Sequence, residues 1–117
     1  MGHGVDGREP APSRLDLAAA KSVATTLQAL ATPSRLMILG RLREGSATVG
    51  ELADAVKMEQ SAVSHQLRVL REHRIVSVER IGRRRRYALH DDDVAVLLDA
   101  ALHHVSGGRA VRRADVG

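Results

Sequence analysis

The sequence predicts a mainly α domain of about five helices with one small two-stranded β-hairpin. Two observations carry that prediction. "VGELADAV" (49–56) and "SAVSHQLRVLRE" (61–72) are two short helical patterns separated only by "KMEQ", and so tight a junction makes a helix-turn-helix. "IVSVERI" (75–81) and "YALH" (87–90) have strand character on either side of "GRRRR", which reads as a hairpin tip. A helix-turn-helix followed by a basic hairpin is a winged helix.

Each element follows in chain order. Residues 1–14, "MGHGVDGREPAPSR", carry three Gly and two Pro without periodicity and read as a flexible arm. From 15 to 31, Leu17, Ala20, Val23, Ala24, Leu27, Leu30 and Ala31 fall at helical spacing, with Asp16 near the start. Thr32 and Pro33 supply an N-cap and a first-turn proline for a second helix, 34–44, which Gly45 closes. Thr48 and Glu51 form a Thr-x-x-Glu capping box that opens the third helix, about 48–56. In the fourth, Val63, Leu67 and Leu70 share one face, while Ser61, Ser64, His65 and Arg68 lie opposite. The last helix runs from about Asp91 to Ser106, and 107–117 is expected to be a disordered basic tail. One domain, 15–106, therefore lies between two terminal extensions.

Composition removes several function classes. The 117-residue chain has no Cys, which excludes disulfides, thiolate metal sites and cysteine nucleophiles. With one Tyr and no Phe or Trp, aliphatic residues must fill the core. No apolar run approaches the ~20 residues that a membrane span needs, so a soluble cytoplasmic protein with no membrane partner is expected. No nucleophile-base-orienter set is visible, so no enzymatic activity is expected. A net charge of +4 suits a polyanionic partner.

Double-stranded DNA is the partner to expect. The second helix of a helix-turn-helix enters the major groove with its N-terminal residues on base edges. Gln60, Ser61, Ser64, His65 and Arg68 are the groups placed to do so. Gln suits adenine and Arg suits guanine, while Ser is permissive. Arg83, Arg84, Arg85 and Arg86 at the expected tip would meet backbone phosphate or a minor groove.

"LQALATPSRLMIL" (27–39), "VGELADAV" (49–56) and "MEQSAVSHQLRVLREHRIV" (58–76) resemble the ArsR/SmtB family of metalloregulatory winged-helix repressors. With the arm "MGHGV", the resemblance extends to the nickel/cobalt-sensing branch of that family. It implies a homodimer, joined through the first and last helices, that holds two-fold symmetric operator DNA when metal-free and releases it on binding metal. The Cys-x-Cys of arsenic-type members would fall on the third helix, where this chain has "ELADAV". The family's other site type is Asp-x-His-x10-His-x-x-His/Glu on the last helix. Here that pattern gives Asp91, Asp93 and His104; Asp93 replaces a His, and Gly107 occupies the place of the last ligand.

The spacing carries a constraint of its own. Residues eleven apart lie within about 20° of three full turns, so Asp93 and His104 share a face, yet about 16 Å separates them along the axis. One ion cannot span that distance within one helix. An antiparallel second copy brings position 93 beside position 104 twice, by symmetry. Val94, Leu97, Leu98, Ala101 and Val105 form an apolar stripe that Asp93 and His104 flank; Asp92, Asp99 and His103 point away. Asp91 is open to two roles, N-cap and ligand. Oxygen and imidazole donors are tolerated by Ni(II), Co(II) and Zn(II). If Met1 is removed, the Gly2 amine and amide with the His3 imidazole could add donors and raise the coordination number, favouring nickel or cobalt over tetrahedral zinc. His90 and His103 are helpers, and His65 and His73 are non-ligands. Two rival functions remain open: a winged-helix regulator that senses no metal, and a small nickel-buffering protein.

Overall fold

The computed structural model describes residues 14–116, with side chains described through Gly107. Seven elements follow one another: α1 (Leu17–Leu30), α2 (Pro33–Leu42), α3 (Val49–Val56), α4 (Gln60–Glu72), β1 (Val76–Ile81), β2 (Arg84–Leu89) and α5 (Asp92–Val116). Mainly α with a two-stranded antiparallel wing, this is the expected fold class.

Local chemistry starts the helices. The Asp16 carboxylate accepts from the Ala19 N–H at 2.8 Å, and the Thr32 hydroxyl accepts from the Arg35 N–H at 3.2 Å, with Pro33 behind it. At α3 the box closes both ways: the Glu51 N–H donates to the Thr48 hydroxyl (3.1 Å) and the Thr48 N–H to the Glu51 carboxylate (2.9 Å). Each cap satisfies amides that the helix itself leaves unpaired. The turn between α3 and α4 places Lys57 in the left-handed region at φ 57°.

The core lies where α2, α3, α4 and the wing converge. Ile38, Leu39, Leu52, Val63, Leu67, Leu70 and Val76 are its fully buried large side chains. Tyr87, the chain's one aromatic residue, closes it at 8% exposure. Three elements differ from the sequence expectation. Strand pairing runs from Val76↔Leu89 to Ile81↔Arg84, so the turn is Gly82–Arg83 alone, and Arg84, Arg85 and Arg86 belong to β2 rather than to the tip. Gly82, with φ 65°, takes the first central position, where a two-residue hairpin loop of this kind needs positive φ. Ala47 adds a third, one-residue rung: its N–H donates to the Tyr87 carbonyl (2.9 Å) and its carbonyl accepts from the Tyr87 N–H (2.7 Å).

The last helix is the third difference. It runs to Val116, past the expected end near Ser106; Gly117 lies outside the described residues. Val94 and Leu98 pack on the core, whereas Leu97 (40%) and Val105 (51%) stay exposed, which splits the expected stripe. The expected arm, 1–14, lies outside the described residues except for Arg14.

Candidate nucleic-acid interface and effector helix

Core packing fixes which face of α4 is free. With Val63, Leu67 and Leu70 buried, Ser61, Ser64, His65 and Arg68 are all exposed, as the helical period requires. Gln60, also exposed, leans toward α3: its Nε2 lies 3.7 Å from where a Cβ on Gly50 would stand.

The arginines divide into two groups. Arg86 is turned inward, donating from Nε to the Ser46 hydroxyl (3.1 Å) and from Nη2 to the Ser46 carbonyl (2.8 Å), with the Glu51 carboxylate at 3.3 Å. It joins the wing to the loop before α3. Glu51 is held below the ordinary carboxylate range, chiefly by the Thr48 N–H and further by Arg86. Arg41 and Arg43 are also engaged, on the Gly45 carbonyl and on Asp99. By contrast, the side chains of Arg68, Arg71, Arg83, Arg84 and Arg85 make no hydrogen bond or ion pair among the described residues. Arg68, Arg71 and Arg85 converge on a cleft of about 400 Å³ between α4 and β2, with Ser64, Tyr87 and Glu72. Neither Arg71 nor Tyr87 stands out in the sequence as a contact residue. The signal available for Arg71 was its place one turn after Arg68 on the same helix.

A separate bond fixes the angle at which α4 is held. The Arg35 Nε donates to the Gln66 side-chain oxygen at 2.7 Å, and its Nη1 to the Ala29 carbonyl at 3.1 Å. One guanidinium thus joins α1, α2 and α4.

At the start of α5, Asp91 performs the cap. Its Oδ1 accepts from the Asp93 N–H (3.0 Å) and its Oδ2 lies 3.2 Å from His90 Nδ1. The His90 contact, with backbone N–H groups of Val94 and Asp93, holds its carboxyl below the usual range. Asp93, His103 and His104 are exposed. Among the described residues no three His, Cys, Asp or Glu side chains come together to hold a metal ion. Gly2 and His3 lie outside the described residues.

Comparison with known proteins places this geometry. Residues 32–78 match the model of the bacterial regulatory proteins of the arsR family. The chain is 60% identical over 104 residues to the HTH-type transcriptional regulator NmtR of Mycobacterium tuberculosis, covering 89% of this chain and 87% of that one. The chain belongs to the ArsR family. A transcriptional repressor SmtB homolog of Synechocystis is 40% identical over 98 residues, 84% of this chain and 74% of that protein. Among solved structures, the solution structure of apo-NmtR superposes with a TM-score of 0.71 at 57% identity, covering 91% of this chain and 89% of that one. A homodimeric winged helix-turn-helix DNA-binding domain from Mycobacterium bovis, a possible ArsR-family regulator, superposes at 0.69 with 31% identity, covering 88% and 95%. As an ArsR-family member the chain is a winged-helix transcriptional regulator, not an enzyme. Among the described residues no helix is long and apolar enough to cross a membrane.

Proposed function

We propose that the chain is a homodimeric cytoplasmic repressor that holds two-fold symmetric operator DNA and lets it go on binding Ni(II) or Co(II) between its last helices. The observation that carries the effector half is the exposed pair Asp93 and His104, on one face of α5 but about 16 Å apart along it. Such a pair is useless to one ion within a chain and useful only between two chains. Dimerisation has its own support: α1 buries only Ala29 and Leu30 of its 14 residues and exposes Leu17, Val23 and Leu27. A helix that short gains its stability from packing, so a partner must cover it.

The donor set fits a metal that accepts oxygen beside imidazole. Asp93 of one protomer and His104 of the other would hold it. Asp91 would join only by releasing His90, since Oδ1 caps the helix. Gly2 and His3 are the remaining donors, and His103 is a helper. The metal would supply an inter-subunit crosslink that favours one spacing of the two α4 helices over another. A coupling of ~1–3 kcal/mol changes operator affinity by about 5- to 150-fold.

On the DNA side, Gln60, Ser61, Ser64, His65 and Arg68 would read bases, and Arg83, Arg84 and Arg85 would hold backbone. Arg86 supports the wing instead of touching DNA, given its bonds to Ser46. The engagement of both Asp91 oxygens favours one rival, a regulator of the same fold without metal sensing.

One experiment separates them. Ni(II), Co(II) and Zn(II) are titrated into metal-free protein bound to a duplex that the protein has selected from a random library. Affinity that falls with nickel or cobalt, and no longer falls in His104→Ala, supports the proposal. Unchanged affinity with all three metals overturns it in favour of the rival.

A further inference from the structure

We infer that the cleft between α4 and β2 is a seat for one DNA backbone phosphate, closed on it by the Tyr87 hydroxyl and the Arg71 and Arg85 guanidiniums. The inference rests on the DNA-binding reading above and adds two residues to it, Arg71 and Tyr87.

Two independent observations meet in this cleft. The first is charge. The Arg35, Arg41, Arg43 and Arg86 side chains are held by bonds within the protein, whereas Arg68, Arg71 and Arg85 line the cleft with no side-chain hydrogen bond or ion pair among the described residues. The second is Tyr87. The residue is buried, only 8% exposed. Its hydroxyl nevertheless makes no hydrogen bond among the described residues, and no buried side-chain oxygen or nitrogen lacks a partner. The hydroxyl is therefore still reached from solvent, and the cleft is the space the residue lines. A buried tyrosine that keeps a free O–H donor, in a cleft lined by three arginines with unengaged side chains, is suited to an anionic oxygen.

Position selects DNA as the source of that oxygen. Ser64 and Arg68, on the face that would meet base edges, form one wall, and Arg85 of the wing forms the other. A strand whose bases face α4 and whose backbone meets the wing must cross between them. Glu72 also lines the cleft and opposes any anion there.

The test measures affinity for a mixed-sequence duplex as a function of salt, because phosphate contacts do not depend on sequence. Arg71→Gln should reduce the slope of log affinity against log salt by about 0.9 for each seat lost, about 1.8 in a two-seated dimer. Tyr87→Phe, which keeps the ring, should weaken binding at least about 5-fold while leaving thermal stability unchanged. Glu72→Gln should tighten binding. A wild-type slope in Arg71→Gln together with wild-type affinity in Tyr87→Phe overturns the seat. Inorganic phosphate is titrated in parallel, followed by the NMR signals of the arginine Nε–H groups. Saturation of Arg71 and Arg85 by inorganic phosphate, with no response to the duplex, assigns the cleft to a free anion and overturns the inference. If wild-type protein shows no salt-dependent DNA binding at all, the DNA reading itself fails, a result distinct from either of these.

Discussion

The Arg35 guanidinium meets the Gln66 side-chain oxygen at 2.7 Å, across 31 residues of sequence, and ties α4 to α2. The same guanidinium donates to the last turn of α1 through the Ala29 carbonyl. Arg35→Ala should lower stability by about 1–3 kcal/mol, because a charge-assisted bond is lost and a half-buried carbonyl loses its donor. Gln66→Ala should cost less. A double-mutant cycle in urea should give a coupling energy above about 0.5 kcal/mol; additive losses would show that the two side chains act separately.

Arg86→Ala should loosen the wing without unfolding the domain. Amide exchange should speed up in β1 and β2 while α2 and α4 keep their protection. Arg83→Ala, at the turn, should leave exchange unchanged. Equal effects of the two substitutions would remove the distinction between a bracing arginine and a free one.

Glu51 gives a pH dependence with a definite sign. Its folded pKa lies below its ordinary value, the Thr48 N–H first and Arg86 after it. The unfolded chain therefore binds more protons in acid. The contribution is present above pH ~4 and is lost as the pH falls through the lowered folded value. Urea midpoints measured down through pH ~3 should fall less steeply in Glu51→Gln than in wild type. That substitution should also lower the midpoint at neutral pH.

Lys57 occupies the left-handed region at φ 57° in the turn between α3 and α4. Lys57→Gly should be neutral or stabilising by up to about 1 kcal/mol, since glycine enters that region without a Cβ clash. Lys57→Val should destabilise by about 1–2 kcal/mol, because β-branched residues are excluded there most strongly. Chemical denaturation at unchanged m reports both.

What the sequence made legible was local. Asp16, Thr32 and the Thr48–Glu51 box are bonds across three residues, and each stands where its pattern placed it. The buried and exposed faces of α4 followed from period alone. The wing boundary did not, because four successive arginines carry neither turn chemistry nor apolar alternation. Only the pairing with β1 reveals that three of them are strand. The inward turn of Arg86 depends on Ser46, forty positions away, and the Arg35–Gln66 bond on a helix crossing. The helix expected to end near Ser106 continues to Val116. Asp91 was open to two roles; it is a cap, and both of its oxygens are engaged.

The single rung between Ala47 and Tyr87 has a mechanical consequence. Because it stitches the loop before α3 to the wing, and Arg86 fastens the same junction, α3, α4 and the hairpin form one stiff block. A displacement of the hairpin is therefore carried to α3 and to the helix packed on it, as a caliper's jaw moves only with its arm.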